Sequence, residues 1–295
     1  MNQNLEIRNF LLQVLVANSE DKSIQWLKQK AQEIQESTSP TPFFLAFSQA
    51  SRFFSKELLQ LSEESRNQAA QLVSGFEPAH WNKLQAARSF FLLHLPQERE
   101  SWFSAMNQLF ETGDMHEQQA LFAALPILPF QEDLLTRAID GCRTNMTLVF
   151  DAIALNNPYP ASYFPEANWN QLVLKAVFMQ RPLYRIQGID RRRNSALAGI
   201  ASDFAHERWA AGRNVMPELW RLVVPFVNDH YLSDLKKVIN SDDELGQKAG
   251  ALVLYQSDFA AAKVLLEGFP HLLEQVESDQ INWESIGVYF QESRI

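Results

Sequence analysis

Between Tyr184 and Asn194 the chain reads YRIQGIDRRRN and places Arg185, Arg191, Arg192 and Arg193 close together. Guanidinium forks bind phosphate and carboxylate in a bidentate way. Asn194 is of a type that caps helices, so three of these arginines stand just ahead of a helix start. Cations there oppose the helix dipole at a cost of about 0.3–1 kcal/mol each. Free N–H groups beside guanidinium groups suit an anion. The chemistry on offer is therefore recognition of an anionic ligand through Arg185, Arg191 and Arg192. The competing account has the arginines neutralised by protein carboxylates, with Asp190 as the local one.

Further along, Leu197, Ala201 and Phe204 form an apolar helical stripe that Arg208 extends, so the Arg208 guanidinium is expected to point inward. No carboxylate lies three or four residues away on its own helix. Its expected partner is Asp151 or a ligand, because an unpaired buried charge is too costly. His206-Glu207 does not begin a zinc-binding helix, because position 210 is alanine rather than a second histidine. No glycine-rich phosphate loop and no GxSxG elbow is present. Asp242-Asp243-Glu244 reads as a helix start rather than a diphosphate motif. No catalytic residue, metal ligand or cofactor is assigned.

The elements that must position these groups are helical. Ten glycines in 295 residues is a low share, and helical periodicity recurs along the whole chain. The fold expected is all-α: about fifteen short amphipathic helices in one monomeric domain over 1–295, arranged as a HEAT-like solenoid or an irregular bundle. Helices are expected near 144–155, 167–180, 194–211 and 217–226, among others. The first helix, with Phe10–Ala17, reads as amphipathic rather than as a signal core, because Glu6 accompanies Arg8. One cysteine, Cys142, excludes an intramolecular disulfide, and no apolar run is long enough to span a bilayer. Cytoplasmic location is the default, with peripheral membrane contact left open.

Charge is uneven. The chain is net −9, yet residues 143–221 hold ten basic and six acidic side chains. The acidic total argues against nucleic-acid binding, and the positive centre fits a small, anionic or phosphorylated ligand. The TNMTLVFDAIAL stretch is apolar almost all round and belongs in the interior. In the next helix Asn168, Gln171 and Lys175 share a narrow stripe that faces either water or a pocket. The NNPYPASYFP segment between them, with Asn157 and Tyr159, is expected to be a rigid loop that walls a site or serves as a packed connection.

The wording RTNMTLVFDAIALNNPYPASYF, then WNQLVLKAVF, PLYRIQGIDRRRN, DFAHERWAAGR and PELWR, resembles the EboA family. The match runs from about Arg143 to Arg221, with PFFLAFSQASRF and ALFAALPILP similar more loosely. The resemblance implies a role in making or trafficking a small metabolite. Gene neighbours of EboA-like proteins imply a cyclitol, prenylated or not, and proteins of the same cluster as partners. It carries over no catalytic residue and leaves open whether the protein is an enzyme. The candidate ligand-binding set is Arg143, Asn145, Asp151, Asn157 and Tyr159, joined by Lys175, Arg185, Arg191, Arg192, His206 and Arg208. The alternative is a non-catalytic helical scaffold that assembles partners.

Overall fold

The computed structural model describes residues 3–294. Helix covers 72% of the chain, with seventeen α-helices and no strand among the described residues. The all-α class expected from glycine scarcity and periodicity is what the chain adopts. No helix among the described residues is long and apolar enough to cross a membrane. Two compact units divide between Phe164 and Pro165.

The first unit contains α1 (Gln3–Asn18), α2 (Asp21–Glu36), α3 (Thr41–Gln49), α4 (Glu63–Leu72) and α5 (Lys83–Leu92). It continues with α6 (Arg99–Thr112), α7 (Met115–Ala123), α8 (Leu135–Gly141), α9 (Thr147–Ala154) and α10 (Tyr159–Tyr163). Helix α5 is its axis. Every residue from Leu84 to Leu92 is buried, as expected for a helix packed on several sides against α1, α3 and α7. Buried Arg88 is tolerated there because its Nε donates to the Phe47 carbonyl and its guanidinium faces Glu117 at 3.4 Å.

Helix α10 corrects the expectation of a loop. Pro158 precedes it and Pro160 lies in its first turn, where a missing N–H leaves no hydrogen bond unmade. Asn156 takes a left-handed φ of 52°, which ends α9 and redirects the chain. Asn157 then accepts from the Tyr159 amide at 3.0 Å and donates to the carbonyls of Phe122 and Ala152.

The second unit contains α11 (Glu166–Phe178), α12 (Ser195–Ala210), α13 (Asp229–Ile239), α14 (Glu244–Gln256), α15 (Ala260–Glu267), α16 (Pro270–Glu277) and α17 (Trp283–Glu292). The cap expected at Asn194 forms: it accepts from the Leu197 amide at 2.9 Å. Helix α14 starts where Asp242-Asp243-Glu244 suggested, directly after Asp243, whose side chain makes no capping hydrogen bond. The segment Pro217–Phe226, expected as an α-helix, is a ten-residue 3-10 helix instead. Proline at both ends removes N–H donors, and residues 217–224 are all buried against α12, α14 and α17. In a 3-10 helix residues three apart eclipse one another. Glu218 and Arg221 thus fall on one edge and Trp220 on another, and this division builds the site.

Candidate functional site

The polar edge of the 217–226 segment faces the arginine turn. Arg221 donates to both carboxylate oxygens of Asp190, Nε at 2.8 Å and Nη2 at 2.6 Å. Arg193 returns across the same joint, with Nε on the Asp190 carbonyl at 3.0 Å and Nη1 on the Arg221 carbonyl at 3.1 Å. Burial alone would raise the Asp190 carboxyl, but the Arg221 hydrogen bonds and the two nearby cations outweigh it and hold the group below its ordinary value. Arg193, Arg221 and Asp190 thus fasten the turn: Asp190 faces its neighbour Arg193 at 3.5 Å, but its bidentate partner is Arg221 of the 217–226 segment. Of the others, Arg191 is exposed and Arg192 lies over the Trp169 ring, 4.7 Å from its centroid. Arg185 is half-buried at the end of the 3-10 turn Leu183–Arg185.

Glu218 is fully buried. Its carboxylate accepts from the Leu183 and Tyr184 amides at 3.2 and 2.6 Å, which orders the start of that turn. Burial pushes its carboxyl up to about 7, against the pull of the two backbone hydrogen bonds and the Arg221 charge. This acid was not singled out from the sequence. A lone glutamate gives no sign of burial until the 3-10 register turns it inward.

The apolar edge faces a cleft of about 350 Å³. Trp220 stacks on Trp209 of α12 with ring centroids 5.6 Å apart and planes at 26°. Val215 and Val238 complete the apolar walls, Gly246 adds backbone, and Asn214, Lys237, Ser241 and Asp243 form the polar lining. The Lys237 ammonium lies over the Trp209 ring, 5.4 Å from its centroid. Behind Trp209, His206 Nε2 pairs with buried Asp234 at 2.8 Å, and Asp234 accepts from the Ser202 hydroxyl at 3.0 Å. The His206 ring packs 5.7 Å from Trp209, so the buried carboxylate fixes an imidazole that in turn backs the cleft wall.

Arg208 departs from its expected role. It is half-exposed, and its Nε donates to the Asn214 carbonyl at 2.9 Å. Helix α12 ends two residues later and the chain reverses at Gly212, whose φ is +65°. That reversal brings a carbonyl within reach, so the guanidinium closes the turn beside the cleft instead of entering the core. Lys175 of α11 is half-buried.

Arg143, Asn145, Asp151, Asn157 and Tyr159 lie in the first unit. Arg143 is exposed and pairs with Asp140 at 2.9 Å, and Asn145 is exposed. Asp151 is half-buried on α9. Asn157 and Tyr159 are committed to structure. The Tyr159 hydroxyl donates to the Gln131 carbonyl at 2.6 Å, its ring stacks on Tyr163, and burial pushes its pKa well above the ordinary range. Both residues pin α10, because a buried polar group must find a partner.

The cleft residues Trp209, Trp220, Lys237, Asp243 and Gly246 were not among the expected site residues. Two signals were in view, the tryptophans of DFAHERWAAGR and PELWR, but their eleven-residue separation gives no reason to place them together. The family model described as "Metabolite traffic protein EboA" matches residues 7–224, a span that takes in the arginine turn, both tryptophans, Asn214 and Val215. No curated protein and no solved structure matches the chain.

Proposed function

The chain belongs to the EboA family of metabolite traffic proteins, and on that premise we propose that it binds a small metabolite in the Trp209–Trp220 cleft. One observation carries this reading. An aromatic pair, one ring half-exposed, opens onto a cleft whose lining mixes apolar walls with a few polar groups. Its volume, about 350 Å³, falls in the range of small-molecule sites. Indole faces pack against the body of a ring compound, and the polar lining orients it. A cyclitol, bare or joined to an apolar chain, is the ligand class that the family resemblance suggests, and binding without bond-making suffices for traffic. Tryptophan emission during titration with cyclitols, cyclitol phosphates, aromatic amino acids and aromatic acids tests the reading. A saturable change is expected for at least one member, and none for any member overturns it.

A second reading keeps the arginine turn as an anion site. Arg191 is exposed and adjoins Arg192 on its tryptophan at the entry to α12, which favours weak recognition of phosphate. Thermal shift with inorganic phosphate, in wild type and Arg191→Gln, tests it. A shift that the variant loses supports the reading, and equal or absent shifts reject it.

A further inference from the structure

We propose that the cleft selects a small zwitterion with an apolar or aromatic body: its anionic group faces Lys237 and its cationic group faces Asp243. The inference rests on the cleft being the ligand site and names the ligand's chemistry.

Lys237 and Asp243 line the same cleft with opposite charges, yet among the described residues neither forms an ion pair with the other or with a third group. The contact that Lys237 makes is with the ring face of Trp209. Asp243 occupies the N-cap position of α14 but its side chain accepts no capping hydrogen bond, whereas Asn194, Asn228 and Asn282 all cap their helices in this unit. Instead the carboxylate leans toward Gly246, where an added Cβ would lie 3.0 Å from Oδ2. A carboxylate at a helix start that forgoes its backbone donors keeps its acceptor capacity for something else.

The sign pattern decides the ligand class. A simple anion drawn to Lys237 meets the Asp243 carboxylate, and a simple cation drawn to Asp243 meets the Lys237 ammonium. A neutral polyol can hydrogen-bond both groups, but only a molecule carrying both charges pairs with each as an ion, and each charged group rejects the singly charged ligand that the other attracts. Between them the walls of Trp209, Trp220, Val215 and Val238 take the apolar body. Glycine at position 246 leaves room for the Asp243 carboxylate, because a Cβ there would lie 3.0 Å from its Oδ2.

Calorimetric titration of the full chain with four probes tests the assignment: L-phenylalanine, phenylacetate, phenethylamine and myo-inositol. L-Phenylalanine is expected to bind about tenfold more tightly than either singly charged analogue, as hydrogen bonds to charged groups dictate. Lys237→Gln should weaken L-phenylalanine and strengthen phenethylamine, while Asp243→Asn should weaken L-phenylalanine and strengthen phenylacetate. This crossing pattern is specific to a two-charge site. Phenylacetate or myo-inositol binding as tightly as L-phenylalanine, indifference of binding to both charge variants, or no saturable L-phenylalanine binding at millimolar concentration overturns the zwitterion assignment. The site itself is tested separately by Gly246→Leu and, should that variant fold poorly, by Ser241→Phe at the cleft lining. Probe binding that survives these plugs removes the cleft reading, whereas binding lost in them but blind to charge removes only the zwitterion.

Discussion

Glu218 concentrates the consequences of burying an acid. Its folded pKa of about 7 lies above the ordinary 4.5, so between those values the native state binds more protons than the unfolded chain. Stability contributed by this group therefore falls as pH rises through that window, and above it the ionised carboxylate costs on the order of 3 kcal/mol. Glu218→Gln removes the titration but forfeits one backbone hydrogen bond at every pH, since the amide nitrogen cannot accept. Its deficit relative to wild type should shrink between about pH 5 and about pH 8 in urea melts. A deficit that is constant or grows contradicts the account. The comparison must be with wild type, because half-buried His94, held down to about 4, titrates with the opposite slope: its stability is lost as pH falls. Asp190 offers a second test at this scale. Its bidentate bond to Arg221 joins a half-exposed carboxylate to a buried guanidinium, so Asp190→Asn should cost about 2 kcal/mol, below the range for fully buried pairs. A loss under about 0.5 kcal/mol in denaturant melts would mean that the arginine turn is not fastened there.

Two glycines separate packing from propensity among the helices. Gly287 lets α17 approach the 183–185 turn and the 217–226 segment. A Cβ there would sit 2.3 Å from Tyr184 Cδ1 and 3.0 Å from Glu218 Cδ. Gly287→Ala should destabilise by about 1–3 kcal/mol despite alanine's helix preference. Gly199 of α12 meets nothing within 4 Å, so Gly199→Ala should stabilise by about 0.5–1 kcal/mol. Thermal melts of the pair should move in opposite directions, and movement in the same direction would show that the contact around Gly287 yields. The 3-10 form of residues 217–226 matters for the same reason. An α-helix would rotate each residue by 100° rather than about 120°, and Glu218 and Arg221 would no longer lie directly in line.

At the scale of the molecule, ligand binding and folding are one equilibrium. A probe that fills the cleft at about one hundred times its dissociation constant adds about 2.7 kcal/mol to stability, and the melting temperature should rise accordingly in wild type but not in Gly246→Leu. Equal rises in both would place the ligand elsewhere. The all-helical class was legible from local information, because glycine scarcity, periodicity and caps such as Asn194 act within a few residues of chain. The anchoring of the arginine turn was legible only in part: Asp190 stood among the arginines as their neutraliser, but its bidentate partner, Arg221, comes from 31 residues away. The inward turn expected of Arg208 failed because a helix face says where a side chain starts, not whether a nearby carbonyl will capture its tip. The loop expected at 156–165 became α10 at its centre because three prolines restrict a chain without choosing between turn and helix, and tertiary packing of Tyr159 and Tyr163 made that choice. The cleft was not legible at all. Trp209, Trp220, Lys237 and Gly246 come from three helical elements and the 3-10 segment's register, and sequence spacing carries no information about which of their faces meet. Local propensity settles what each segment becomes, but a binding surface is made of side chains distant in sequence, and only packing decides which of them share a space.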